Sequence, residues 1–303
     1  MEGLARIKQL ASALSVPFAE NEPMSEHTSF AIGGPADLFL TPASPETVPA
    51  LLSACRTEEI PLFILGNGTN LLVSDRGIAG VVLQTAGAFP DITPVSAFEI
   101  DCGAGVKLSR ICMYALEHSL SGLEFAWGIP GTAGGAAFMN AGAYGGEMKD
   151  VTVSCSHLDR KGETGALEGD ALLFAYRKSA YAGNECLLTG VRLRLKPGGT
   201  EAIRARMDDV MNRRKEKQPL DMPSAGSVFK RPSVCFAGTL IEECGLKGLS
   251  VGGAAVSEKH AGFIVNTGGA TCTDVLILIE KIQKEVFLQT SVKLECEIRT
   301  VGK

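Results

Sequence analysis

Three stretches have residue types and spacings that could do chemistry: the serine in "MPSAGSVFKRP" at Met222–Pro232, and two glycine-rich loops. A serine that attacks a carbonyl needs a base beside it, and the four histidines of this chain include none within thirty residues of Ser227. The triad reading therefore fails on spacing, and a plain turn residue is the default. The loop "GNGTN", Gly66–Asn70, follows an apolar run and suggests a dinucleotide fingerprint. Leu71 stands where the third glycine belongs, so the fingerprint fails. What remains is either an ordinary turn or a nest of backbone amides for an anion. The third stretch, "GIPGTAGGAAFMNAGAYGG", holds seven glycines and five alanines and is too small-sided to build a core. Backbone laid flat against a large planar ligand is one use for it, and close packing of elements is the other.

The elements that must position these stretches follow from hydrophobic period and punctuation. "ADLFLT" reads as a strand, "SPETVPALLSACRTE" as a helix with Ser44 as N-cap and Pro45 first, and "PLFILG" as a second strand, giving an early β-α-β pattern. Short strands follow at "NLLVSD", "GVVLQT" and "AFEIDCG". The run "KLSRICMYALEHSL" puts Leu108, Ile111, Cys112, Ala115 and Leu116 on one helical face, with Gly122 as its stop. "VTVSCSHLD" and "CLLTGVRLRL" are strands, the first closed by a hairpin turn at "RKGE", the second alternating Val191, Leu193 and Leu195. "KPGGT", Lys196–Thr200, is a linker before a polar helix that ends near Lys217. Beyond it come a short helix "AGTLIEEC", a strand "FIVN", a long amphipathic helix "CTDVLILIEKIQKEVFLQT" and a closing strand "VKLECEIRTVG".

Composition narrows the function class. Net charge is −5 and the densest basic run is "RRKEK", Arg213–Lys217, which argues against nucleic acid as a partner because phosphate contact dominates that affinity. No segment has the length or composition of a membrane span or a signal peptide. The nine cysteines show no C-x-x-C spacing and fall at positions such as Cys112 and Cys296 where a small apolar residue would serve. Those features predict a cytoplasmic protein with no metal site.

Taken in order, "HTSFAIGGPADLFLTP", "LGNGTNLLVSDRGIAGVVLQT", "GLEFAWGIPGTAGGAAFMNAGAYGGEMKDV", "AYRKS", "KQPLDMPSAGSVFKRP", "GLKGLSVGGAAVSEKHAGFIVN" and "LECEIR" resemble the UDP-N-acetylenolpyruvoylglucosamine reductase family, flavoenzymes that make UDP-N-acetylmuramate for bacterial peptidoglycan. The resemblance runs over nearly the whole chain. It implies an α+β protein with a two-lobed FAD-binding domain of the vanillyl-alcohol-oxidase (PCMH) type and a smaller α+β substrate domain, divided at 1–65, 66–197 and 198–303. It also implies noncovalent FAD, NADPH as co-substrate and UDP-N-acetylglucosamine enolpyruvate as acceptor. A monomer is compatible with it.

Carried over motif by motif, the resemblance makes Gly66, Asn67, Gly68, Thr69, Asn70 and Leu71 the pyrophosphate loop. Ile129, Pro130, Gly131, Thr132, Gly134, Gly135, Asn140, Ala141, Gly142 and Tyr144 would line the adenosine and isoalloxazine. Neither loop contains histidine, so covalent flavin attachment is not expected. Ser227 resembles the family's proton donor, Arg177 its intermediate-stabilising arginine and Glu297 its catalytic carboxylate. Lys230 and Arg231, which follow Ser227, are expected to acidify its hydroxyl. Lys217, Arg231, Lys247 and His260 resemble substrate-binding positions, and cations near a diphosphate make physical sense. For His260 a satisfied core histidine is the competing reading, and Tyr181 is either a site aromatic or packing. The span from Leu195 to Lys217 is too short for the substrate-covering loop of the family's longer form, so the chain resembles the short form. An oxidase of the same flavin fold and a flavin- or nucleotide-sugar-binding protein without turnover are the rival readings.

Overall fold

In the computed structural model, which describes residues 2–303, backbone pairing follows the alternation seen in the sequence. Five antiparallel strands form one sheet in the order Thr164–Glu168, Thr152–Leu158, Leu187–Arg194, Glu99–Gly103, Ile92–Pro94. Val191, Leu193 and Leu195 are buried, as their alternation requires. The helix Leu108–Glu117 buries Leu108, Ile111, Cys112, Ala115 and Leu116, all five of the expected face. It ends earlier than Gly122, because Ser119 turns left-handed at φ 55° and Leu120–Ser121 leaves as a strand paired with Lys196–Pro197. The first residues of the expected linker are therefore paired.

A four-stranded sheet has the order Phe18–Pro23, Pro35–Leu40, Ile78–Gln84, Leu62–Leu65. The helix Val48–Thr57 joins Leu40 to Leu62, but those two strands are not neighbours, since Ile78–Gln84 lies between them and pairs in parallel with Leu62–Leu65. A single 3₁₀ turn, Pro45–Thr47, precedes that helix. Ser44 does not cap it, because its hydroxyl bonds the Glu46 carboxylate instead of a backbone N–H.

By packing, the chain divides into two units. The first comprises residues through Glu20, Leu38–Asn67 and Gly80–Arg213; the second comprises Asn21–Asp37, Gly68–Ala79 and Arg214–Lys303. Each has its own apolar core. The packing boundary falls within the helix Thr200–Lys217, at Arg213 and Arg214, and not at the Lys196–Thr200 turn.

In the second unit, antiparallel strands run in the order Ser224–Ser227, Phe263–Asn266, Ala254–Val256, Ser250–Val251. The helix Cys272–Thr290 buries Val275, Leu278, Ile279, Ile282 and Val286 at helical spacing. The closing strand is shorter than its sequence suggests. Only Arg299–Val301 is regular, paired in parallel with Leu71–Val73. Before it, Leu294 and Ile298 are buried while Cys296 between them is exposed, so strict alternation fails. That stretch is held by single bonds, Lys230 N–H to Glu295 O at 2.8 Å and Glu297 N–H to Val228 O at 2.7 Å. Cys296 is thus not a core residue, whereas Cys55, Cys102, Cys112, Cys155 and Cys272 are buried; all nine cysteines are free thiols.

The N-terminus of the long helix is closed by two side chains. Thr271 accepts from Asp274 N–H at 3.0 Å, and Asp75 accepts from Cys272 N–H at 2.6 Å, Thr273 N–H at 3.0 Å and the Thr273 hydroxyl at 2.7 Å. Burial pushes the Asp75 carboxyl up, but the bonds from Thr273 and Cys272 outweigh it and hold the group below the usual carboxylate range. The stabilisation is then full above the unfolded carboxyl's pKa and is lost as pH falls through the lowered folded value. Asp75→Ala should cost about 1–2 kcal/mol in urea unfolding at neutral pH, a typical cap loss. The gap from wild type should close below about pH 4, where unfolded carboxylates protonate.

Candidate functional site

Ser227 ends the strand Ser224–Ser227, directly after Gly226, whose φ of 82° suits glycine and turns the chain at that point. Its hydroxyl is half-buried and donates to Phe229 O at a long 3.2 Å, so it is only loosely committed. Lys230 and Arg231 are not aimed at it in the way adjacency suggested. The Lys230 ammonium lies 3.2 Å from the Glu295 carboxylate, and the Arg231 guanidinium lies 4.0 Å from the centre of the Phe236 ring. Backbone direction alternates along this segment and takes the side chains elsewhere.

The fold also brings a histidine to Ser227 that sequence distance hid. A Cβ placed on Gly262 would lie 3.1 Å from His260 Nδ1 and 3.5 Å from Ser227 Oγ, so the two side chains flank the same glycine. His260 cannot serve Ser227 as a base through Nδ1, because that nitrogen accepts from Gly262 N–H at 3.0 Å. Burial lowers the His260 pKa, opposed by its own backbone bond and by Glu242, with Lys247 and Lys217 adding to the depression. The ring is therefore neutral at pH 7, its proton on Nε2, and it packs edge-on to Phe263. One ring nitrogen is thus satisfied inside the fold, as the core reading of His260 has it, while the charges on Lys217 and Lys247 lie near enough to act on the ring. Lys247 itself is 2.6 Å from Glu242.

Glu297 reaches the same strand end through its backbone. Its N–H bonds the carbonyl of Val228, the residue after Ser227, and its own carbonyl accepts from Asn70 Nδ2 at 3.2 Å. Val228, Glu297 and Asn70 at the end of the first glycine loop are thus tied into one run of hydrogen bonds, next in the chain to Ser227. Within that loop, Gly68 is buried with φ 62°, and a Cβ there would lie 2.0 Å from His27 O, so only glycine fits. The N–H groups of Asn67, Gly68 and Thr69 donate to no backbone carbonyl among the described residues. Unspent amides on a buried glycine turn can take up an anionic group.

In the first unit, the alanine- and glycine-rich segment forms a helix, Ala133–Met139, capped by buried Thr132. A Cβ on Gly134 would lie 2.8 Å from Ala104 Cβ, so part of its small-residue content serves close packing. Ile129, Pro130 and Gly131 lead into it, and Pro130 O accepts from the Asn67 amide at 2.5 Å. Asn140 is fully buried at φ 44°, and its amide donates to Glu147 Oε2 at 2.6 Å and Ala175 O at 3.0 Å while Oδ1 accepts from Lys149 N–H at 2.9 Å. Its side chain is thereby spent on holding the loop. Glu147, which sequence reasoning did not single out, is the partner that makes this possible; the signal was its capping-box spacing to Asp150.

Arg177 sits at the tip of a tight turn closed by Ala175 N–H to Lys178 O and Lys178 N–H to Ala175 O. Its φ of 54° is a left-handed conformation that costs a non-glycine residue about 1 kcal/mol or more. One arm, Nη1, donates to Gly142 O at 3.1 Å, and the guanidinium lies 5.3 Å from the Tyr176 ring. The arginine is thus anchored to the second glycine loop through Gly142. Tyr181 is packing and not a site aromatic: it is 0% exposed, its hydroxyl donating to Cys155 O at 3.0 Å and accepting from His157 Nδ1 at 2.9 Å.

Residues 36–167 match the FAD binding domain family, and residues 218–301 match the family described as UDP-N-acetylenolpyruvoylglucosamine reductase, C-terminal domain. The chain is 52% identical over 93% of its length, and 93% of the relative's, to UDP-N-acetylenolpyruvoylglucosamine reductase of Caldanaerobacter subterraneus subsp. tengcongensis. It is 46% identical to the protein of that name from Syntrophomonas wolfei subsp. wolfei, over 93% and 94% of the two chains. Among solved structures, the Thermus caldophilus UDP-N-acetylenolpyruvylglucosamine reductase superposes with a TM-score of 0.80 at 37% identity, covering 94% of this chain and 98% of the other.

Proposed function

The chain belongs to the UDP-N-acetylenolpyruvoylglucosamine reductase family, and on that premise we propose how its own residues divide the work. It is an FAD-dependent oxidoreductase that uses NADPH to reduce the enolpyruvyl group of UDP-N-acetylglucosamine enolpyruvate in peptidoglycan precursor synthesis. Reduced FAD, when bound, supplies hydride to the terminal enolpyruvyl carbon. The protein must then deliver a proton to the neighbouring carbon and stabilise the negative charge on that carbon and its carboxylate.

Ser227 donates that proton, Arg177 faces the developing charge and Glu297 assists as the second acid-base group. The observation that carries this reading is the run of hydrogen bonds joining Val228, Glu297 and Asn70, which supports one serine, one carboxylate and the first glycine loop acting together. Gly66 to Leu71 hold the pyrophosphate on their amides, and Ile129 to Tyr144 face the rest of the cofactor with backbone. Lys217, Lys247, Arg231 and the Nε2–H of His260 take the diphosphate of the substrate. Residues 36–167 serve the flavin and residues 218–301 the substrate, a division supported by the two family matches. The compartment is the cytoplasm, a reading supported by five buried free thiols.

Lys217→Ala should raise KM for UDP-N-acetylglucosamine enolpyruvate about 10-fold with little change in kcat, the signature of lost uniform binding. An unchanged KM would remove Lys217 from the diphosphate site. The reading as a whole is tested by anaerobic titration: the purified protein's flavin should be reduced by NADPH and reoxidised stoichiometrically by UDP-N-acetylglucosamine enolpyruvate. A flavin that stays reduced would overturn the assigned acceptor.

A further inference from the structure

The helix Thr200–Lys217 carries a cationic pair that none of these roles uses. Its inner face buries Ile203, Met207 and Val210, which fixes the helix rotation. Arg206, Asp209 and Arg213 follow at i, i+3 and i+7 on the outer face, and the two arginine side chains are 47% and 46% exposed. Arg206 Nη1 lies 2.8 Å and Arg213 Nη1 3.6 Å from the same oxygen, Asp209 Oδ2. Two guanidiniums therefore share one carboxylate, and the cluster keeps a net positive charge.

Both arginines also hold Tyr144, which belongs to the second glycine loop. The Arg213 guanidinium lies 4.9 Å from the centre of the Tyr144 ring, and Arg206 Nη2 donates to Tyr144 O at 3.4 Å, a weak bond. Tyr144 is left-handed at φ 51°, and a Cβ on the adjacent exposed Gly145 would meet nothing within 4 Å. The space beside this platform is open. It is thus preorganised, cationic and next to the segment assigned to the flavin, on which reading the inference rests.

We propose that Arg206 and Arg213 bind the ribose phosphate monoester of the hydride donor and thereby make the chain select NADPH over NADH. A planar guanidinium fork matches phosphate oxygens two at a time, and a dianionic monoester suits a pair of forks better than a monoanionic diester oxygen does. The two donors differ only in that phosphate. Cations that contact it must discriminate between them, whereas cations on a pyrophosphate would serve both.

The test uses Arg206→Gln, Arg213→Gln and the double variant of the whole protein. Anaerobic flavin reduction is followed with NADPH and with NADH on each variant, so that any disturbance of Tyr144 or the flavin cancels in the ratio. The NADPH/NADH ratio of second-order rate constants should fall about 10- to 100-fold in the double variant, the usual worth of a charge-assisted bond. In calorimetry, adenosine 2′,5′-bisphosphate should bind wild type more tightly than 5′-AMP and lose that advantage in the double variant. An unchanged ratio, equal slowing with both donors, or an effect confined to KM for the UDP-sugar would each overturn the proposal. Failure of the flavin reading would show separately, as wild-type protein that neither donor reduces, and the calorimetry would still decide the phosphate site.

Discussion

Ser227→Ala lowers kcat by about 10²- to 10⁴-fold, the range for removal of a positioned general acid, while flavin content and the rate of reduction by NADPH stay at wild-type values. The split follows from position. Ser227 lies at the end of its strand, one residue before the Val228 carbonyl that Glu297 N–H bonds and across Gly262 from His260, and its hydroxyl makes only a long 3.2 Å bond to Phe229 O, so truncation removes one weak bond and little structure is lost. Ser227→Cys keeps a donor of similar size and should retain more activity than alanine. Equal loss in both variants would mean that the hydroxyl's shape, and not its proton, is what matters. Since Lys230 is paired with Glu295, Lys230→Ala should change kcat far less than Ser227→Ala.

Arg177→Ala should cost about 10²- to 10³-fold in kcat, comparable to removing one donor from a site that stabilises developing negative charge. The turn Ala175–Lys178 forces Arg177 to φ 54°, and one guanidinium arm is fixed on Gly142 O at 3.1 Å, which leaves the fork's orientation set before substrate arrives. Arg177→Lys should recover little of the loss, because an ammonium cannot hold Gly142 O and present a second planar arm together. A structural role would appear differently. Alanine also disfavours positive φ, so both variants keep the turn's strain, and a fall in flavin affinity equal to the fall in kcat would reassign Arg177 to loop support.

Much of the fold was legible in residue period. Leu108, Ile111, Cys112, Ala115 and Leu116 share a buried helix face, and Val191, Leu193 and Leu195 a buried strand face, because one apolar stripe admits one placement. Legibility ended where pairing is decided by residues far away in sequence. The run from Val292 to Ile298 alternates well enough to read as a strand, yet its bonds go singly to Val228 and Lys230. The packing division, with Gly68–Ala79 in one unit and Leu38–Asn67 in the other, has no local signature at all.

The site was legible mainly as motifs in order. Spacing alone excluded a triad and a dinucleotide fingerprint, and composition pointed to backbone meeting a flat ligand. It did not reveal that Asn140 spends its amide on Glu147 and Ala175, nor that His260 comes to Ser227 across Gly262. Those contacts depend on the tertiary fold, where sequence separation no longer measures distance.

The most direct measurement is a single turnover of anaerobically reduced wild type and Ser227→Ala, each mixed rapidly with UDP-N-acetylglucosamine enolpyruvate while flavin absorbance is followed. The account predicts equal rates for the preceding reduction by NADPH and a reoxidation slowed by about 10²-fold or more in the variant. Reoxidation at the wild-type rate, with UDP-N-acetylmuramate formed, would contradict Ser227 as the proton donor.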